Sequence, residues 1–204
     1  MRRVTHDELP FSPAADRNAA AIFEVLCSVL PDAAKVLEIA SGTGQHAAHF
    51  AAARAGWAWQ PTDAEQAALP GIAARCEALP NVQPPLRLDV RATWPASLGR
   101  FDAVYCANML HISPWATCGA LMRGAAAHLV DHGRLLIYGP FVVDGEPTAP
   151  SNLAFDSDLR ARHGDWGLRR LADVADEARS VGMNLERRID MPANNLLLVL
   201  RRER

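Results

Sequence analysis

Apolar residues recur along the chain in blocks that switch between two periods, one helical and one extended. Ile22, Val25, Leu26 and Val29 fall at helical spacing behind Ser12-Pro13. A serine oxygen at the N-cap and proline at the first helical position suit a helix start, and Pro31 stops the helix. Val36 to Ala40 follow as a short run interrupted by Glu38, the pattern of a strand buried on both faces. A glycine turn and the run Ala47, Ala48, Phe50, Ala51 then predict a helix packed on that strand. Trp57 to Pro61 reads as a second strand delivering Asp63 at its end, and residues 64–79 as a helix broken at Pro70-Gly71. Leu86 to Val90 predicts a third strand and Phe101 to Ala107 a fourth. Ser113-Pro114 opens a helix through Trp115 to about Leu129, which Asp131-His132-Gly133 ends, and Arg134 to Gly139 is a fifth strand. Residues 140–165 read as a long polar insert, with Asp165 capping a helix from Trp166 to Val181 that Gly182 closes. Met183 to Ile189 and Leu196 to Leu200 finish the chain as two strands joined through Met191–Asn195. Strands alternating with helices argue for an α/β fold on a mostly parallel sheet.

A length of 204 residues makes one domain, 1–204, the default. Within it, residues 1–30 are an arm and a covering helix, and 140–166 an acceptor-site insert. The net charge of −2 gives no electrostatic footprint for nucleic acid. Cys27, Cys76, Cys106 and Cys118 form no C-x-x-C pair, so reduced thiols in a cytoplasmic protein are expected, with no metal site. Met1-Arg2-Arg3-Val4 leads into charged residues rather than an apolar leader, and no apolar run approaches membrane-spanning length. The expected assembly is a monomer or homodimer without membrane association.

The chemistry concentrates at Ser41-Gly42-Thr43-Gly44-Gln45-His46. Gly42 and Gly44 suit a turn of positive φ that lets backbone approach a ligand, and a strand, such a turn and a helix N-terminus make a nucleotide site. Gly42-x-Gly44-x-x-Ala47 also fits the dinucleotide fingerprint, with Asp63 near the spacing of a ribose-binding acid. Glu38 separates the readings. A carboxylate at the end of the first strand repels a pyrophosphate but suits S-adenosylmethionine, which carries a sulfonium and an ammonium and no phosphate. Three readings stand: an S-adenosylmethionine-dependent methyltransferase, an NAD-dependent oxidoreductase, and a non-catalytic cofactor-binding module.

An acid followed by glycines at alternate positions resembles the first motif of class I methyltransferases, with Ala40 where the first glycine of that motif stands. The run from Phe101-Asp102 to Asn108-Met109-Leu110-His111 resembles the fourth motif of small-molecule methyltransferases. It lacks the paired prolines and aromatic of nucleic-acid and protein amide methylases. The stretches SGTGQH, YCANMLHISPW, YGPF, SN with FD, WGLR and MPANN together resemble the family that includes methyltransferase-like protein 26. This resemblance implies a Rossmann-like, seven-stranded, mostly parallel sheet with a C-terminal antiparallel hairpin. It also implies S-adenosyl-L-methionine as cofactor, with contacts from Asn18, Glu38, Ala40, Ser41, Gly42, Gly44, Asp63, Asp89, Val90 and Asn108. Asp63 would accept the ribose hydroxyls or cap the following helix, and Asp89 would meet the adenine amino group or serve a turn. The first-turn residues Asp16, Arg17 and Asn18 are either solvated, or the helix covers the cofactor and Asn18 or Arg17 reaches in. The acceptor is expected to be a small molecule bound by Arg17, His111, Asn152 and Trp166. His111 is the leading base, with Tyr138 and Asp156 behind it. The alternative for His111 is a structural or cofactor-side role. His46 and His49 are expected to pack or cap, while His6, His128, His132 and His163 carry no signal.

Overall fold

The computed structural model describes residues 9–203. Helix α1 (Pro13–Val29) begins where the Ser12 hydroxyl accepts from the Ala15 N–H at 3.3 Å, and it buries Ala19, Ile22 and Leu26. Strand β1 (Ala34–Ile39) is buried at every position except Lys35, as an apolar run inside a parallel sheet requires. It pairs in parallel with β2 (Trp57–Asp63) on one side and β4 (Phe101–Ala107) on the other, Val36 lying opposite both Trp59 and Ala103. Beyond β2 lies the short edge strand β3 (Leu86–Arg87), and beyond β4 lies β5 (Leu129–Gly139). Strand β8 (Met183–Met191) and strand β9 (Asn195–Arg202) form the closing hairpin. β9 runs antiparallel between β5 and β8, so the sheet order is β3-β2-β1-β4-β5-β9-β8.

Helices cover both faces. Against one face, α1 and α2 (Gln45–Ala53) set Ile22, Leu26, Ala47 and Phe50 on Trp57, Trp59 and Tyr105. Against the other, α4 (Ala116–His128) and α6 (Leu171–Arg179) set Leu121, Met122, Val174 and Ala178 on Leu37, Val104, Leu135 and Leu198. The seven-stranded α/β architecture and its antiparallel ending are those expected.

Several boundaries differ from the sequence pattern, each for a local reason. The third strand stops at Arg87 instead of Val90 because Asp89 turns the chain, its Oδ1 accepting from the Arg91 N–H at 2.9 Å. Pro70 does not break a helix; it occupies the first turn of α3 (Leu69–Cys76), where its missing N–H costs nothing. Residues 131–133 belong to β5, whose register with β4 shifts between Phe101 and Ala103. The insert is no bare loop: it contains β6 (Phe141–Val142) and α5 (Pro150–Arg162). The last helix starts at Leu171, not Trp166. Gly167, at φ +142°, breaks the chain direction, and β7 (Arg169–Arg170) pairs with β6 first. The expectation for His6 and most of the arm lies outside the described residues.

Candidate active site

The glycine turn begins where β1 ends. Ala40, Gly42 and Gly44 have φ of +55°, +57° and +73°, so each of the alternating positions is left-handed, including the one held by alanine. Side chains stitch this turn to β2. The Ser41 N–H donates to Thr62 O at 2.8 Å, and the Thr62 N–H donates back to Ser41 Oγ at 3.2 Å. The Gly42 N–H donates to Asp63 Oδ2 at 2.8 Å, while Asp63 Oδ1 accepts from the Glu65 N–H at 2.9 Å. Each Asp63 oxygen keeps one lone pair, the minimum for two ribose hydroxyls.

Glu38 is enclosed rather than an open acidic floor. Its Oε2 accepts from Trp59 Nε1 at 3.0 Å, its backbone oxygen accepts from Thr62 Oγ1 at 2.7 Å, and it is 2% exposed. Burial pushes its carboxyl from 4.5 to about 7, against the opposing contacts with Trp59 and Ser41. Val90 is buried, and its carbonyl accepts from Trp94 Nε1. The Asp89 carboxylate is partly exposed and serves the turn to Arg91; that backbone contact holds its pKa below the usual range.

A cavity of about 900 Å³ opens at the carboxyl ends of β4 and β5. Its lining brings together Arg17, Asn18, Asn108, His111, Tyr138 and Asn152, six residues from four regions of the sequence, each singled out above. The first turn of α1, the N-terminal half of α5 and the β8–β9 turn make its walls. His111 sits in a 3₁₀ turn after β4, its ring edge-on to Phe155 at 5.4 Å. Burial, assisted by the Arg169 charge, lowers its pKa to about 4, so the imidazole is neutral at ordinary pH. Burial raises the Tyr138 phenol above its usual value.

Two of the expected site residues lie elsewhere. Asp156 is consumed by structure: Oδ1 accepts from the Leu168 N–H at 2.7 Å and Oδ2 from Arg160 Nε at 2.8 Å. Trp166 stacks on His163 with Arg162 over its ring, away from the cavity lining. His46 does more than pack. Its Nε2 meets Asn18 Oδ1 at 2.7 Å, and since an amide oxygen only accepts, Nε2 carries the proton and Nδ1 accepts from Tyr105 OH at 3.1 Å. Burial lowers its pKa to about 4, in keeping with that neutral form.

Long polar side chains that sequence reasoning passed over hold the frame. Gln45 Oε1 accepts from the Ser12 N–H at 2.6 Å, and Arg75 bridges Thr43 O and Pro10 O, so the segment before α1 lies across the glycine turn. Arg169 donates to the carbonyls of Leu110, Ser113 and Asp165, fixing the turn that carries His111. Glutamine and arginine side chains that cap distant carbonyls have no periodic signal.

Strand order, glycine turn and cavity at one sheet edge define the class I methyltransferase fold. The chain belongs to the family described as protein of unknown function (DUF938), whose model matches residues 9–202. Similar solved structures include the mitomycin 7-O-methyltransferase MmcR, with TM-score 0.79 and 19% identity over 93% of this chain and 54% of that one. CalO1, a methyltransferase in calicheamicin biosynthesis solved in its SAH-bound form, matches with TM-score 0.72 and 16% identity over 89% of this chain and 53% of that one. An O-methyltransferase family 2 protein from Planctomyces limnophilus, in complex with apigenin, gives TM-score 0.71 and 18% identity over 90% and 61%. The chain thus spans little more than half the length of these proteins, and at such identities the likeness is one of fold.

Two outcomes are expected of this geometry. A Cβ at Gly44 would meet Ile72 Cα at 3.1 Å, whereas one at Gly42 finds its nearest neighbour at 4.0 Å. Both substitutions carry the left-handed penalty of about 1–2 kcal/mol, but Gly44→Ala adds crowding and is expected to lower Tm more than Gly42→Ala. Thermal melts of the pair decide this.

The second concerns pH. Glu38 holds its proton more tightly folded than unfolded, so its contribution falls as pH rises from about 4.5 to about 7. His46 and His111 hold theirs more weakly, about 4 against 6.5, so their contributions are complete above 6.5 and lost as pH falls towards 4. Two groups opposing one place the optimum of these contributions near pH 6.5. In urea titrations, Glu38→Gln should gain on the parent protein by about 3 kcal/mol between pH 5 and pH 8. A difference that does not change with pH would mean that the carboxyl is not enclosed.

Proposed function

We propose that this protein is an S-adenosylmethionine-dependent methyltransferase acting on a small molecule, of the kind that includes methyltransferase-like protein 26. The observation that carries the reading is the shared sheet edge: a left-handed glycine turn with Asp63 on its N–H opens beside a cavity lined by Asn108, His111 and Tyr138. The fold-level likeness to MmcR and CalO1 supports it. The antiparallel β9 also favours it over a dinucleotide-dependent oxidoreductase. That argument replaces the one from the charge of Glu38, whose carboxyl is partly neutral at pH 7.

In this reading Asp63 holds the cofactor ribose, the Gly42–Gly44 backbone and Asn108 hold its amino-acid end, and Asp89 with the Val90 N–H holds the adenine. The cofactor supplies a methyl group on a sulfonium, already activated towards a nucleophile. The chain's own contribution is orientation, worth about 7–11 kcal/mol at best. His111 accepts the acceptor's proton at a ring nitrogen facing the cavity. With a pKa near 4 it is unprotonated throughout neutral pH, and it takes that proton only as transfer makes the acceptor more acidic.

Calorimetry with S-adenosylhomocysteine is the direct test. Binding is expected, and Asp63→Asn should weaken it at least about tenfold, the scale of a charge-assisted hydrogen bond. NAD binding in its place would establish the oxidoreductase. Cofactor binding without turnover on any acceptor would mark a non-catalytic module. With an acceptor in hand, His111→Ala should cost about 10²–10⁴ in kcat. The parent's kcat should show no inflection from this histidine between pH 5 and 8, and a break near 6.5 would contradict its enclosure.

A further inference from the structure

We propose that the acceptor is a small anion bearing hydroxyl or N–H donors, its negative group held by Arg17. The proposal rests on the methyltransferase reading for the word acceptor; the binding chemistry stands on the cavity alone. Among the described residues lining that cavity, Arg17 is the one ionic side chain, and no aspartate or glutamate faces it. No carboxylate among the described residues pairs with Arg17. Ser12 and Ala14 form the adjoining wall, so the positive end of the 17-residue helix α1 opens on the same space. A lone cation in a pocket without acids selects for negative charge.

The amides select for donors. Asn152 Nδ2 donates to Asn194 O at 2.9 Å, and Asn195 Nδ2 donates to Pro192 O at 3.1 Å. A carbonyl partner fixes which end of each amide is nitrogen, so the choice is not open to a flip. Each Oδ1 therefore accepts nothing from the described residues and remains an acceptor for a ligand O–H or N–H. Ile112 and Phe155, both partly exposed, give the ligand's carbon frame an apolar surface beside these groups. A hydroxylated carboxylate or phosphomonoester satisfies all three demands, whereas a cation or a purely apolar ring satisfies at most one.

The test is a panel of hydroxylated carboxylates and phosphomonoesters, each matched with its neutral primary amide or free alcohol. Binding is read by ligand-observed NMR and calorimetry on the full chain saturated with S-adenosylhomocysteine. Charged members should bind at least about fivefold tighter, with an advantage that shrinks as NaCl is raised. The arm that binds tighter, carboxylate or phosphate, identifies the anion. Arg17→Gln should erase the preference, Arg17→Lys should retain part of it, and Arg17→Glu should reverse it. Arg17 is exposed, so these variants keep the fold. Neutral members binding as well as charged ones across the panel, or a preference that survives Arg17→Gln, overturns the proposal. Preference for anions without any binding of S-adenosylhomocysteine sustains the anion site and overturns the methyltransferase reading instead.

Discussion

β1 leaves the sheet at Ile39, yet the chain stays bonded to β2 for three residues more. Ser41 exchanges hydrogen bonds with Thr62 through backbone and hydroxyl, Thr62 Oγ1 returns to Glu38 O, and Asp63 takes the Gly42 N–H. These side chains continue the parallel ladder past the point where backbone geometry alone would end it. Each nets about 1 kcal/mol, but leaving any of these buried groups unmade would cost about 1–3. The left-handed turn is therefore held in place before any ligand arrives, which is what preorganisation of a binding loop requires. Glu38 is shut in by the same stitching.

The parts readable in advance were those whose pattern is set by the sheet itself. Val36–Ile39 and Phe101–Ala107 are apolar because both faces are covered, and that burial leaves a run no helix period explains. Of the closing hairpin, β9 was legible for the same reason, while β8 is largely exposed. Gly42 and Gly44 were legible because glycine adopts their φ most cheaply. Ala40 shows the limit of that rule, since its φ of +55° is imposed by the stitching on either side and not by its side chain. Six candidate residues, Arg17, Asn18, Asn108, His111, Tyr138 and Asn152, do converge on one cavity. Strand ends in a parallel sheet point to one edge, which accounts for Asn108, His111 and Tyr138. Arg17, Asn18 and Asn152 arrive instead on helices that cover that edge.

What stayed illegible depends on distant partners. Asp156 looked like an isolated acid in an insert, but Arg160 and the Leu168 N–H claim both its oxygens once α5 folds back. Trp166 reads as an acceptor-binding residue, but Gly167 turns the chain and leaves the ring on His163. The insert reads as a loop because α5 has few apolar positions to display a period; of its residues only Asn152 and Leu159 are buried.

The cavity's walls come from three separate regions of the chain, and the first turn of α2 is where one wall meets the glycine turn. Gln45 holds Ser12, and His46 holds Asn18, so both ends of the first turns of α1 are pinned to the residues that follow the glycine turn. Arg17 lies between those two anchors, so its backbone is held while its exposed side chain lines the cavity. The His46 link also runs inward to Tyr105 on the central strand. Hydrogen bonds therefore connect the residues that follow the glycine turn directly to the first turn of α1, which lines the cavity.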